Sequence, residues 1–218
     1  MRIVEPSFEI VNPTNREEGI AMLRKIEGYA RISHASEDRQ TEDTWERFIK
    51  AVVVDRGDWS VVEHQSATVI ARVDRGVSHE WVRHRIGSYT QASTRFINFK
   101  KVGEIDVIRP EGLKQEDETV WLESVAKACW GYTVLMDRGN SPQMARSVLP
   151  NALATTIAVT YNLRSWRQFF LMRSTRETHP DFRRVVLPLL AEFKNRIPLL
   201  FEDIEPEAKQ SISLARAR

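Results

Sequence analysis

Cysteine is nearly absent: the 218-residue chain contains one, Cys129. A single thiol closes no internal disulfide and builds no cysteine-based zinc site. Glycine and proline are sparse, nine of each, which excludes collagen-like and low-complexity architectures. No apolar run approaches the ~18–20 residues that a membrane span needs. The opening Met1-Arg2-Ile3-Val4-Glu5-Pro6 lacks the apolar core of a secretory signal, so a cytoplasmic protein is expected. No Gly-x-Gly-x-x-Gly follows a strand and no Walker loop is present, which argues against Rossmann and P-loop folds. Charge of one sign is also lacking. Thirty-two basic and 30 acidic residues leave a net charge of +2, too little to suggest a polyanion binder.

What is present is an ordinary soluble balance, 42% hydrophobic and 28% charged. The length fits a single domain over residues 1–218. The basic residues are skewed, with 24 arginines to 8 lysines. Arginine's planar fork suits phosphate and carboxylate, so the skew favours a phosphorylated small-molecule ligand. A GC-rich coding bias produces the same ratio.

Patterning predicts mixed helices and strands without a βαβ rhythm. Arg2 to Val11 reads as a strand, and Glu17 to Ile32 has helical spacing with Ile20, Met22, Leu23, Ile26, Tyr29 and Ala30 inward. Thr41 is the expected cap of a helix reaching about Asp55, before a turn at Arg56-Gly57-Asp58. Ser66 to Val73 and Ala152 to Asn162 are β-branched strands, and Glu104 to Ile108 is a short one. Val77 to Arg85 reads as a short helix closed by Gly87-Ser88, with a Ser/Thr-rich loop after it. Glu116 to Met136 is a long helix with Val120, Leu122, Val125, Ala128, Tyr132 and Leu135 inward. Pro142 to Val148 is a helical turn. Leu163 to Met172 and Pro180 to Glu192 are helices, the latter with a continuation from Phe193 past Pro198. Lys209 to Arg218 reads as a frayed tail.

Two basic clusters stand out. Residues 79–96 hold Arg83-His84-Arg85 beside Ser88, Thr90, Ser93 and Thr94. On a continuing helix the three would point ~100° apart. At a helix end they converge, and side chains then wrap a phosphate or pyrophosphate. A basic helix C-terminus compensating its dipole is the plainer alternative. The second cluster is Arg164, Arg167, Arg173 and Arg176 with Asn162, Gln168 and His179, where Arg164 and Gln168 share a helical face. A solvated face reads the same way, and Arg146 reads as a surface charge. No metal site is expected: His79 and His84 are five apart, and no His-Glu-x-x-His exists. Cys129 lies inside an apolar stripe, and Ser93 has no nucleophile elbow.

Arg83-His84-Arg85, then seven residues, then Ser93 resembles the signature of the flavin-dependent thymidylate synthases, as does the whole stretch RHRIGSYTQASTRF. Ala30 to Ser33, Ser60 to His64, Ala145 to Pro150, Tyr161 to Ser165 and Phe169 to Arg173 resemble further family segments, in family order. Gln91 stands where Glu is also common, Phe96 where Tyr is usual, Glu80 for a frequent Gln, Gln168 for Asn and Asp58 for His. The resemblance implies an α+β, non-Rossmann flavin-binding fold with an antiparallel-type sheet. It also implies a homotetramer with active sites shared between subunits. The implied reaction methylates dUMP to dTMP, with methylenetetrahydrofolate as carbon donor and FAD reduced by NADPH. By the same resemblance, FAD would be held by Ser60, Glu63, Arg83, His84, Arg85, Gln91, Asn162, Arg164 and Gln168. The dUMP site would take Glu80, Arg83, Gln91, Ser93, Thr94, Arg95, Arg146 and Arg173, with Arg173 catalytic at the uracil. Competing readings are a nucleic-acid-binding module and a non-catalytic nucleotide-binding regulator; no membrane partner is expected.

Overall fold

Alternation in Ser66–Asp74 puts Ala67, Val69, Ala71 and Val73 on a buried face, as a half-covered strand requires. The computed structural model describes residues 1–206; the tail reading for 209–218 lies outside them. In chain order the elements are β1 (Arg2–Ile3), β2 (Ser7–Asn12), α1 (Arg16–Ile32) and α2 (Trp45–Ile49), which runs into a π-helical stretch Lys50–Asp55. Then come β3 (Ser66–Asp74), α3 (Arg75–Trp81), β4 (Ser88–Gln91), α4 (Phe99–Val102) and β5 (Asp106–Val107). α5 (Glu118–Asp137), α6 (Pro142–Ala145), β6 (Ala154–Asn162), α7 (Leu163–Arg173) and α8 (Pro180–Arg196) complete the set. The fold is α+β, with a four-stranded sheet in the order β2-β3-β6-β4 and a separate parallel pair, β1-β5. β4 runs antiparallel to β6, with Ser88 opposite Thr160 and Gln91 opposite Ile157.

The chain forms two compact units. Among the described residues, one comprises 1–9 and 68–160, the other 10–67 and 161–206. In the first, Val125, Cys129 and Tyr132 of α5 pack with Ile105, Val107, Ala145 and Leu153. β1 is fastened to β5 by Asp106, which accepts from Arg2 Nε at 2.8 Å and Nη2 at 2.9 Å and also pairs with Arg72. The Arg2 hydrogen bond, and then that of Arg72, outweigh burial and hold this carboxyl below its ordinary range. Its stabilisation is therefore complete at neutral pH and fades only as acid titrates the depressed group.

The second unit has an aromatic core. Trp166 touches Phe170 at 5.7 Å and Phe193 at 5.0 Å between ring centroids, and Phe169 meets Phe182 at 5.7 Å. Trp166 Nε1 donates to the carbonyl of Ala67 at 2.9 Å, which satisfies its one polar atom inside that core. α1 approaches α8 so closely that a Cβ on Gly19 would lie 1.8 Å from the Arg196 carbonyl oxygen.

Several expected boundaries move. Pro6 interrupts the first strand, giving β1 and β2. Thr41 does not cap a helix: it bonds to Thr44, and α2 starts after that turn. Asp74 accepts from the Val77 N–H at 2.9 Å and starts α3 earlier, while the helix ends at Trp81 and not at Arg85. Ser88–Gln91 is a strand, not a loop. α8 stops at Arg196 because the residue before Pro198 is pushed out of helical geometry. Tyr29 and Val120, read as inward, are exposed; the Tyr29 ring meets that of His64 at 5.1 Å between centroids, tilted by 49°.

Gly19→Ala forces α1 and α8 apart, and overpacking of this kind costs roughly 1–3 kcal/mol. Thermal unfolding should show a lowered midpoint for Gly19→Ala, and no comparable loss for alanine at Gly131, where the nearest atom to the added Cβ is 3.7 Å away.

Candidate functional site

The Arg83-His84-Arg85 triplet sits on turns, not on a helix. After Trp81 the Arg83 N–H donates to Glu80 at 3.2 Å and the His84 N–H to Trp81 at 3.1 Å. Ile86 then takes a left-handed φ of 66°. Helical spacing no longer separates the three side chains, and Arg83 and Arg85 are exposed. Among the described residues neither guanidinium has an ion-pair partner.

The turn is fastened from β4. Tyr89 Oη lies against the carbonyl oxygens of Trp81, at 3.2 Å, and of His84. Two residues on, Gln91 Nε2 donates to Ser78 Oγ at 2.8 Å and Thr155 Oγ1 at 3.3 Å. Gln91 thus turns its nitrogen inward to two buried hydroxyls. The Ser78 hydroxyl already donates to the Arg75 carbonyl at 3.0 Å, so it is the amide donor of glutamine, and not a carboxylate, that suits this hydroxyl. Tyr89 carries no sequence signal of this role, since it reads as one aromatic residue in a polar stretch.

Beyond β4 a second tight turn carries Ser93, Thr94 and Arg95, closed by the Phe96 N–H donating to Ser93 at 3.1 Å. Thr94 is buried, and Arg146 Nη1 donates to its hydroxyl at 3.3 Å. Arg95 Nε donates to Gln143 Oε1 at 3.1 Å. Arg146 is therefore not an isolated surface charge. With Thr94 and Gln143 it borders a cleft of about 420 Å³. Glu80, on the last turn of α3, is half-buried.

The remaining predicted residues belong to the second unit. Ser60 and Glu63 lie on a 3₁₀ turn, Trp59–His64. Glu63 Oε1 accepts from Arg164 Nη1 at 2.5 Å, which ties that turn to α7. Asn162 caps α7 by accepting from the Ser165 N–H at 2.8 Å. Arg164 and Gln168 are exposed on α7. Arg173 closes the helix half-buried, its guanidinium 5.6 Å from the centre of the Phe182 ring.

Comparison with known proteins places these features. The family model described as "Thymidylate synthase complementing protein" matches residues 20–199. A flavin-dependent thymidylate synthase from Saccharolobus solfataricus is 35% identical over 205 residues, covering 92% of this chain and 77% of that one. The chain belongs to the flavin-dependent thymidylate synthase family. A synthase of the same name from Geobacter sulfurreducens is 36% identical over 156 residues, 71% of this chain and 67% of that one. The fold resembles that of a UMP/dUMP methylase, PolB, from Streptomyces cacaoi, crystallised with 5-Br dUMP. Its TM-score is 0.74 at 20% identity, and the match covers 93% of this chain and 96% of that one. The chain has no glycine-rich phosphate loop, so side chains would have to hold a flavin. Acid-free guanidinium forks on the Arg83–Arg85 turn have the chemistry to grip an anionic, phosphate-bearing flavin.

Tyr89→Phe removes the hydroxyl that steadies this turn. The expected stability loss is about 1 kcal/mol, with flavin retention falling several-fold in equilibrium dialysis. Flavin retained as in wild type would show that the turn holds its shape without Tyr89.

Proposed function

We propose that this chain methylates dUMP to dTMP, taking the carbon from methylenetetrahydrofolate and reducing equivalents from NADPH through FAD. We further propose that it works as one synthase domain in a cytoplasmic homotetramer whose active sites are shared between subunits. The observation that carries the reading is the pair of exposed guanidinium groups, Arg83 and Arg85, which make no ion pair among the described residues and lie within the stretch that the family model matches.

In this reading Arg83 and Arg85 grip the FAD pyrophosphate together with His84. Ser60, Glu63, Gln91, Asn162, Arg164 and Gln168 complete the flavin's contacts. When bound and reduced, the flavin supplies hydride. Arg95 and Arg146, with Ser93 and Thr94, hold the nucleotide phosphate as a charge-assisted hydrogen-bonding set. Glu80, Arg83 and Gln91 orient the rest of the nucleotide. Arg173 sits against an apolar ring, Phe182. A cation fixed there lowers the cost of negative charge developing at N3 of the uracil, most of all where water is excluded.

Ring activation by a thiolate is not available. Cys129 is buried in the α5 core, and burial pushes its thiol above the ordinary value, away from nucleophilic use.

The deciding experiment supplies dUMP, methylenetetrahydrofolate and NADPH to the purified protein. A yellow protein that releases FAD on denaturation, dTMP and tetrahydrofolate are expected; NADPH oxidation without dTMP would overturn the synthase reading. Arg173→Ala should cut turnover and dUMP affinity severely with FAD retained, since unpairing a desolvated charge costs ~2–5 kcal/mol. Alanine at the exposed Arg176 should leave both near wild type.

Cys129→Ala should keep near-full turnover, with ~1–2 kcal/mol of stability lost to the small cavity. A folded, flavin-loaded Cys129→Ala protein that made no dTMP would refute a mechanism without a cysteine nucleophile.

A further inference from the structure

Arg75 is the first residue of α3, upstream of the signature stretch. Its main chain is anchored, with its N–H donating to the carbonyls of Asn151 at 2.9 Å and Leu153 at 3.1 Å. Its side chain borders the same 420 Å³ cleft as Arg146, Thr94 and Gln143. Among the described residues no carboxylate lines that cleft, and neither Arg75 nor Arg146 makes an ion pair. Burial first, and then the neighbouring Arg146 guanidinium, push Arg75 below the usual arginine range.

An arginine does not shed its proton at neutral pH. The repulsion between the two forks therefore persists in the free protein until an anion removes it. Elsewhere in the same unit Arg72 is satisfied by Asp106. The cleft offers instead two guanidinium groups, the hydroxyls of Thr94 and Ser147 and the amide of Gln143. Arg95 approaches from outside through its bond to Gln143. Forked donors without an acid form a receptor for an oxyanion carrying two charges.

We propose that Arg75 is a ligand of the substrate's 5′-phosphate and completes, with Arg146 and Arg95, a three-arginine seat for nucleoside monophosphates. The inference rests on the assignment of the dUMP phosphate to Arg95 and Arg146. It adds a residue to the site, and it makes the charge state of the phosphate the quantity that this site reads.

The test measures dUMP binding to flavin-loaded wild type, Arg75→Met, Arg75→Lys and Arg146→Met, with flavin content and melting temperature recorded for each. Arg75→Met should weaken dUMP binding by about thirtyfold or more, the lower end for unpairing a desolvated charge, with flavin content unchanged. Wild-type affinity should drop as pH falls through ~6, where a phosphate monoester takes up its second proton, and Arg75→Met should flatten that dependence. Weakened binding with the wild-type pH profile would place Arg75 off the phosphate and overturn the proposal. Wild-type affinity in Arg75→Met, with binding lost in Arg146→Met, would overturn it while sparing the phosphate assignment. Wild-type affinity in both would bring down the assignment and the proposal together. If Arg75→Met fails to fold, Arg75→Lys decides. The lysine keeps the charge but not the fork, so a loss smaller than thirtyfold supports the proposal and unchanged affinity overturns it.

Discussion

The ladder between β4 and β6 holds the two basic turns at a fixed separation. β4 spans Ser88–Gln91, ~13 Å at the usual rise. The turn with Arg83–Arg85 precedes it, and the turn with Ser93–Arg95 follows it. Arg83 and Arg85 make no ion pair among the described residues, so no carboxylate positions them. Their placement falls to the backbone, and the backbone is placed by main-chain pairing with β6, by Tyr89 and by the Gln91–Ser78–Thr155 link.

The near-neutral composition conceals a division of labour among the arginines. Arg31 closes on buried Glu27, Arg167 on Asp203, Arg196 on Glu192, and Arg2 and Arg72 on Asp106. These fasten structure. Arg83, Arg85, Arg75 and Arg146 have no acid among the described residues. A net charge of +2 is compatible with a strongly cationic site once the acids are spent elsewhere. A broad basic stripe for nucleic acid is not needed to explain the arginine count.

Periodic, apolar elements were legible in the sequence. Met22, Leu23, Ile26 and Ala30 repeat at helical spacing and are buried in α1, and the β-branched runs of β3 and β6 read as strands. β4 was not legible because Ser-Tyr-Thr-Gln has no apolar alternation; its conformation comes from pairing with β6. The start of α3 was obscured by Gly76, which reads as a breaker but falls in a first turn capped by Asp74. The family was legible through the signature stretch. Tyr89 and Arg75 were not, since their importance lies in what they touch across the fold, and neither residue type nor spacing records that.

Ile86 is a β-branched residue with φ 66° and is 84% exposed. A left-handed backbone costs such a residue roughly 1–2 kcal/mol, and its exposed side chain recovers little by packing. Glycine at this position would relieve the cost in the free protein. A laboratory selection for heat resistance alone would therefore drift toward glycine at this position. It would loosen the turn that presents Arg85 and, with the flavin seated there as proposed, trade grip for a higher melting point, so breeding a hardier catalyst from this scaffold calls for screening cofactor retention alongside heat tolerance.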